Sequence, residues 1–237
     1  MSRKAMLWLF IAAAVCVLVA CQVVASSARQ HRDAVAAQAG VPTVAPGTDV
    51  LAGVALVPNR IHRYDYRRSA FGDAWTDDND ASLGHNGCDT RDDILNRDLV
   101  DKTSVSIKRC PDAVATGTLH DPYTNATIAF QRGAKIGAAV QIDHIVPLAY
   151  AWDMGASGWA SSQRLRFAND PANLLAVAGK ANGDKGDSPP AAWMPPNKGF
   201  WCQYAMQFIA VLRGYALPVD RPSAEMLRKA TGTCPAG

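Results

Sequence analysis

Between residues 88 and 101, in CDTRDDILNRDLVD, the apolar positions Ile94, Leu95 and Leu99 line one face of a helix. Thr90 reads as its N-cap, with Asp93 three residues on as capping-box partner. The period then changes. SVSIKRC (104–110) and TNATIAFQR (124–132) alternate apolar and polar side chains as short strands do, and DPYTN between them has turn composition. AAVQID (138–143) and ANLLAV (172–177) predict two more strands. LAYAWDMGA (148–156) predicts a short helix, and GKANGDKGD (179–187) a tight turn leading into another. In FWCQYAMQFIAVLRG (200–214), Trp201, Ala205, Phe208 and Leu212 share a helical face and Gly214 stops it. RPSAEMLRKATG (221–232) predicts a last helix. No internal repeat is present, and the mixture predicts an α+β domain.

The N-terminal pattern is of a different kind. MSRK is basic, and no charge follows from Ala5 to Ala20, the order of an export segment. Leu18-Val19-Ala20-Cys21 resembles a bacterial lipobox, in which Cys21 would carry a lipid. Cleavage at VVASSA is one alternative. Retention of residues 5–25 as a membrane anchor, near the ~20 residues a span requires, is the other. Residues 1–25 are assigned to this signal or anchor. Residues 26–55, rich in Ala, Val and Gly, read as a linker with some helix over 27–38, and 56–237 as one globular domain. Every alternative places the domain outside the cytoplasm, secreted or attached to the outer face of the membrane.

The cysteines agree with export. Of six, Cys16 and Cys21 lie in the leader, which leaves Cys88, Cys110, Cys202 and Cys234. An even set in an exported domain predicts disulfides. Three pairings are open. Cys88–Cys110 with Cys202–Cys234 is favoured, because each bridge staples one end of the domain. Zinc is the weaker alternative, since none of the four forms a CxxC.

Charge excludes a protein that coats nucleic acid. Net charge is +3, and without Arg3 and Lys4 the remaining 22 basic and 21 acidic side chains give +1. Contact with nucleic acid would have to be local. NRIHRYDYRR (59–68), with four arginines around Tyr64 and Tyr66, is one such patch, or else a solvated loop. The acidic run DAWTDDND (73–80) lacks calcium-loop spacing and reads as solvated.

Chemistry concentrates at QIDHIVPLAY (141–150), where Asp143 and His144 end a strand just before Pro147. Successive strand residues face opposite sides, so both serve one site only where the strand breaks down. Some thirty residues later comes DPANLLAVAGKANGDKGDSPPAAW. Together, DHIVP…NLL…N…KGD resembles the HNH, or ββα-metal, nuclease motif. FG-x-x-W (Phe71 to Trp75), CDTRDDIL, DPYT, FANDPANLLAV and NGDKGDSPPAAWMPPN resemble an exported bacterial branch related to the C-terminal domain of GmrSD-type restriction endonucleases. The resemblance covers roughly residues 56–235.

It implies two strands and a helix around one divalent metal ion, Mg²⁺ or Mn²⁺. By this resemblance His144 is the general base and Asp143 a metal ligand. Asn173 braces the loop and orients His144, and Asn182 stands where the motif has its last histidine, as second ligand. Lys185, three residues on, and Arg91 in CDTR are weaker candidates for holding phosphate, Arg91 alternatively as a structural partner of local acids. Trp193 and Pro195-Pro196 are expected to pack over the helix. The chemistry is coherent without the resemblance. Neutral imidazole, with an ordinary pKa near ~6.5, accepts a proton from water, and a hard cation on carboxylate and amide oxygens polarises a phosphate. The expected function is an exported endonuclease acting on phosphodiester bonds, of DNA first; the resemblance implies a 5′-phosphate product. The alternative is a non-catalytic nucleic-acid-binding or cell-envelope module. GASGW is not a serine-hydrolase elbow.

Overall fold

The computed structural model describes residues 41–133 and 138–236. The export segment, Cys21 and the helix expected over 27–38 lie outside these residues. In chain order the elements are β1 (Leu56–Val57), α1 (Thr90–Asp98), β2 (Val100–Ile107), β3 (Cys110–His120), β4 (Thr127–Gln131) and β5 (Val140–His144), then α2 (Leu148–Asp153), α3 (Ser161–Asn169), β6 (Leu174–Ala178), α4 (Gly179–Lys185), α5 (Trp201–Gly214), β7 (Val219–Asp220) and α6 (Arg221–Thr231). Strands β2, β3 and β4 form an antiparallel sheet, β5 and β6 an antiparallel pair, and β1 and β7 a short parallel pair.

The β5–β6 pair separates two apolar clusters. Val140, Ile142, Leu174 and Ala176 pack with Ile94, Leu95 and Leu99 of α1 and with the three-stranded sheet. The second cluster holds Val177, Tyr150, Phe167 and the apolar faces of α5 and α6. Burying both faces of the pair fixes its register, because a one-residue slip would exchange the two sets of side chains.

Both favoured disulfides form, Cys88–Cys110 and Cys202–Cys234. They span 22 and 32 residues, which in a chain-entropy account is worth about 3–4 kcal/mol each. Three expectations need correction. The cap of α1 is Asp89, whose Oδ1 accepts from Asp92 N at 2.7 Å. Thr90 is already helical and donates to Asn169 Oδ1 at 2.9 Å. The strand read over 104–110 is a hairpin: β2 ends at Ile107, and β3 carries Pro111 and Gly117, both weak strand formers. The domain also starts earlier than residue 56. Pro42 onward belongs to the compact unit, with Leu51 buried in the core and Val50 O accepting from Arg213 on α5 at 2.9 Å.

Candidate active site

Asp143 and His144 are the last two residues of β5, paired opposite Leu175 and Leu174. As strand neighbours they point to opposite sides. Asp143 meets Tyr123 and Lys185, whereas His144 meets Trp75 and Ala168. They still share one cleft, because the chain leaves the strand at once. Asn173 holds that departure: its backbone O accepts from Ile145 N at 2.8 Å, and its side chain accepts from Val146 N at 2.8 Å and donates to Val146 O at 3.3 Å. Asn173 is fully buried, so these bonds face no competition from water.

His144 is buried, with Nε2 2.9 Å from Ala168 O. A carbonyl only accepts, so Nε2 carries the proton and Nδ1 keeps its lone pair. No group among the described residues bonds Nδ1. The ring stacks on Trp75, centroids 5.3 Å apart and planes 13° apart. Trp75 reaches it from a left-handed backbone (φ 59°), reached through Gly72 at φ 86°. Gly72, at φ 86° and ψ −169°, holds a backbone conformation that L side chains rarely adopt, which favours glycine there. Phe71 and Trp75 of FG-x-x-W therefore wall the site, one in the core and one on the imidazole.

Burial pushes the His144 imidazole down to about 3, with Arg68 and Lys185 adding to the shift against the Ala168 hydrogen bond. The ordinary value expected above is thus corrected by desolvation. The unfolded chain takes up this proton near ~6.5, so folding stability is complete above that pH and falls as pH drops toward 3. Metal-free urea melts are expected to show about 3 kcal/mol lost between pH 7 and pH 4 through this group. The check is that the loss is smaller by that amount in His144→Asn.

Asp143 is gripped from behind. Its Oδ2 accepts from Tyr123 OH at 2.5 Å and from Lys185 Nζ at 2.6 Å. Lys185 is 1% exposed and also donates to the carbonyls of His144 (2.7 Å) and Ile145 (3.2 Å). The expectation that Lys185 holds phosphate is corrected: α4 turns it inward, where three acceptors compensate its desolvation. Burial pushes the ammonium down and Asp143 opposes that. Burial, with Asp143 beside it, also keeps the Tyr123 phenol protonated as a donor. Tyr123 comes from DPYT. There Asp121 ties the turn to the end of β6 by accepting from Ala178 N at 3.0 Å, and Trp193, expected to pack over the helix, packs edge-on to the Tyr123 ring at 5.0 Å.

Asp143 Oδ1 is free of donors among the described residues, and Asp143 lines a cleft of about 340 Å³ with His144, Asn182 and Arg68. Asn182 gives its Nδ2 to Gln141 Oε1 at 2.8 Å, which leaves Oδ1 as the available atom. Among the described residues no cluster of three or more His, Cys, Asp or Glu is set for a metal. The donor set here is one carboxylate oxygen and one amide oxygen, which suits a hard cation that keeps several waters. A second cavity of about 250 Å³ lies beside it and shares Arg68, His144 and Leu148 as walls.

Arg91 does not line either cavity. Its Nη2 donates to Val140 O at 3.0 Å, at the far end of β5, and burial pushes its guanidinium down. This placement favours a structural role, although the bond shown is to a strand carbonyl rather than to a local acid. Arg68 is the cation that sequence reasoning did not single out. It is exposed at the mouth of both cavities, and its side chain makes no hydrogen bond or ion pair with the described residues. The only signal was its place in the basic patch 59–68.

The model of the C-terminal domain of GmrSD restriction endonucleases matches residues 89–230, well over half of the chain. The chain belongs to this family. The GmrSD C-terminal domain match includes Tyr123, Asp143, His144, Asn173, Asn182 and Lys185, but Arg68 and Trp75 precede it. An uncharacterised secreted protein of the fungus Arthroderma benhamiae is 38% identical over 150 residues, 62% of this chain and 68% of that protein. Relatives within reach of this family's sequence are therefore not confined to bacteria. No solved structure matches.

Proposed function

We propose that the protein is a secreted, metal-dependent endonuclease of the HNH type that hydrolyses phosphodiester bonds, with DNA as substrate. The observation that carries this reading is that His144, with a lone pair on Nδ1, and Asp143, with an unengaged Oδ1, line one cleft. The order β5, β6, α4, an antiparallel pair followed at once by a helix, supports a ββα-metal core. Membership of the GmrSD C-terminal domain family supports nuclease chemistry. Two disulfides and a relative described as secreted support export.

In this reading Asp143 and Asn182 hold one Mg²⁺ or Mn²⁺, which supplies Lewis acidity toward a phosphate oxygen. His144 Nδ1 takes a proton from the attacking water. An entering phosphate places negative charge beside the ring, which favours the imidazolium and strengthens the base as substrate binds. Asn173 fixes the loop that carries His144 out of the strand. Lys185 and Tyr123 hold Asp143 so that one oxygen faces the cleft. Arg68 contacts phosphate at the mouth.

The alternative, a module that binds without cutting, draws on one observation: Lys185 already balances the charge of Asp143. Plasmid nicking separates the two. Purified protein with Mg²⁺ or Mn²⁺ is expected to convert supercoiled plasmid to open circle, and EDTA to stop it. Retarded but intact plasmid under both conditions selects the binding module.

A further inference from the structure

The loop of residues 60–68 is tied down along most of its length. Arg60 donates from Nε to Asp153 Oδ2 at 2.6 Å and from Nη1 and Nη2 to Asp187 at 2.8 and 2.9 Å. Arg63 N donates to Asp153 Oδ1 at 2.9 Å, and the Asp153 side chain is fully buried. Trp152 Nε1 donates to Asp65 Oδ1 at 2.9 Å, and Arg63 bridges to both oxygens of Asp65.

Held this way, the loop still presents two large apolar side chains to water. Tyr64 is 95% exposed and Ile61 79%, whereas the other exposed large hydrophobics among the described residues lie between 40% and 46%. A slack loop would fold such residues under. This one is anchored on both sides of them, so their exposure is built in. Two such exposures in one anchored loop are a candidate contact surface, which its neighbours must identify.

Its position says what it binds. His62, Tyr66 and Arg68, flanking Tyr64 in the loop, line the cleft that holds Asp143, His144 and Asn182. The side chains of Arg67 and Arg68 make no hydrogen bond or ion pair with the described residues, while Arg60 and Arg63 are neutralised within the fold. His62 meets the Tyr64 ring edge-to-face at 5.4 Å and props it outward. An exposed aromatic plane on an anchored loop, with two unpaired guanidiniums in the same loop at the lip of a cleft, matches a nucleotide strand: the ring for a base, the guanidiniums for its phosphates.

We infer that Tyr64, with Ile61 exposed in the same loop, is a stacking platform for an unpaired base of single-stranded nucleic acid, whose phosphates pass Arg67 and Arg68 into the His144 cleft. Bases inside a duplex cover each other's faces, so this contact favours unpaired strands. The inference rests on the nucleic-acid reading above and names its substrate form.

The test is fluorescence anisotropy with a labelled single-stranded 12-mer DNA and the matching blunt duplex, in EDTA so that nothing is cut. The parent is expected to bind the single strand more tightly than the duplex. Tyr64→Ala is expected to weaken single-strand binding about 5- to 100-fold, Tyr64→Phe to stay near the parent, and duplex binding to change little. The Arg67→Gln/Arg68→Gln double variant is expected to lower the salt slope by about 1.4, two phosphate contacts on a single strand. Tyr64 projects into solvent, so circular dichroism and melting of the variants should match the parent. The inference is overturned if Tyr64→Ala binds the single strand within twofold of the parent, or loses single strand and duplex equally. It is also overturned if the substitution instead abolishes binding to anionic lipid vesicles or self-association. A parent that nicks plasmid yet shows no Tyr64 dependence defeats this inference alone. A parent that binds through Tyr64 and never nicks with metal defeats the nuclease alone.

Discussion

His144→Ala is expected to reduce metal-dependent plasmid nicking by about 10²- to 10⁴-fold, the usual contribution of a positioned general base. The loss follows from geometry. Ala168 O fixes the proton on Nε2, Trp75 fixes the ring plane, and Nδ1 is left as the unengaged basic nitrogen. Alanine also leaves a gap beside Trp75 and an unpartnered carbonyl, which costs about 1–3 kcal/mol of stability. A companion His144→Asn variant separates the two effects, because its amide restores a donor toward Ala168 without a basic nitrogen. Both variants should be inactive, and Asn the more stable. Nicking by His144→Asn at the parental rate, in a preparation whose activity EDTA abolishes, would remove His144 from the role of base.

What could be read in the chain divides by how local the information was. Asp143 and His144 announce themselves because they sit side by side at a strand end just before Pro147 and their chemistry is unusual for a core, whereas Asn173, beyond α2 and α3, was reached only through the family resemblance. The capping error at Thr90 is of one residue, since Asp89 offers the same kind of acceptor. Lys185 is different. The three-residue spacing from Asn182 places it near the site on α4, but a seven-residue helix has no amphipathic face from which to read inward or outward. Only the packing of α4 on β5 turns the ammonium toward Asp143 and the carbonyls of His144 and Ile145. Tyr123 was hidden in a turn motif, and its burial depends on Trp193, Phe200 and Tyr204 closing over it from later in the chain. α3 has too few apolar positions to show a helical period, with Phe167 its main core anchor. Strand β3 breaks its own pattern with Pro111 and Gly117. Each of these is a case where tertiary contacts outweigh local preference.

Lys185→Met is expected to destabilise the protein by about 3–5 kcal/mol in urea denaturation, because it leaves the Asp143 carboxylate buried beside Tyr123 without its cation. The two carbonyls that the ammonium also bonds lose their donor as well. Methionine preserves length and apolar stem, so lost packing is a minor part of the effect. Asp143→Asn reverses the imbalance, stranding the ammonium instead. The Lys185→Met/Asp143→Asn double variant should therefore lose less than the sum of the singles, since neither charge remains to be compensated. Had Lys185 faced phosphate, the single variant would melt like the parent and show only weaker substrate binding. A surface lysine and a buried clamp are thus separated by the urea midpoint, which moves only for the clamp. An unchanged urea midpoint in Lys185→Met would place the ammonium outside the core and reopen the cleft to it.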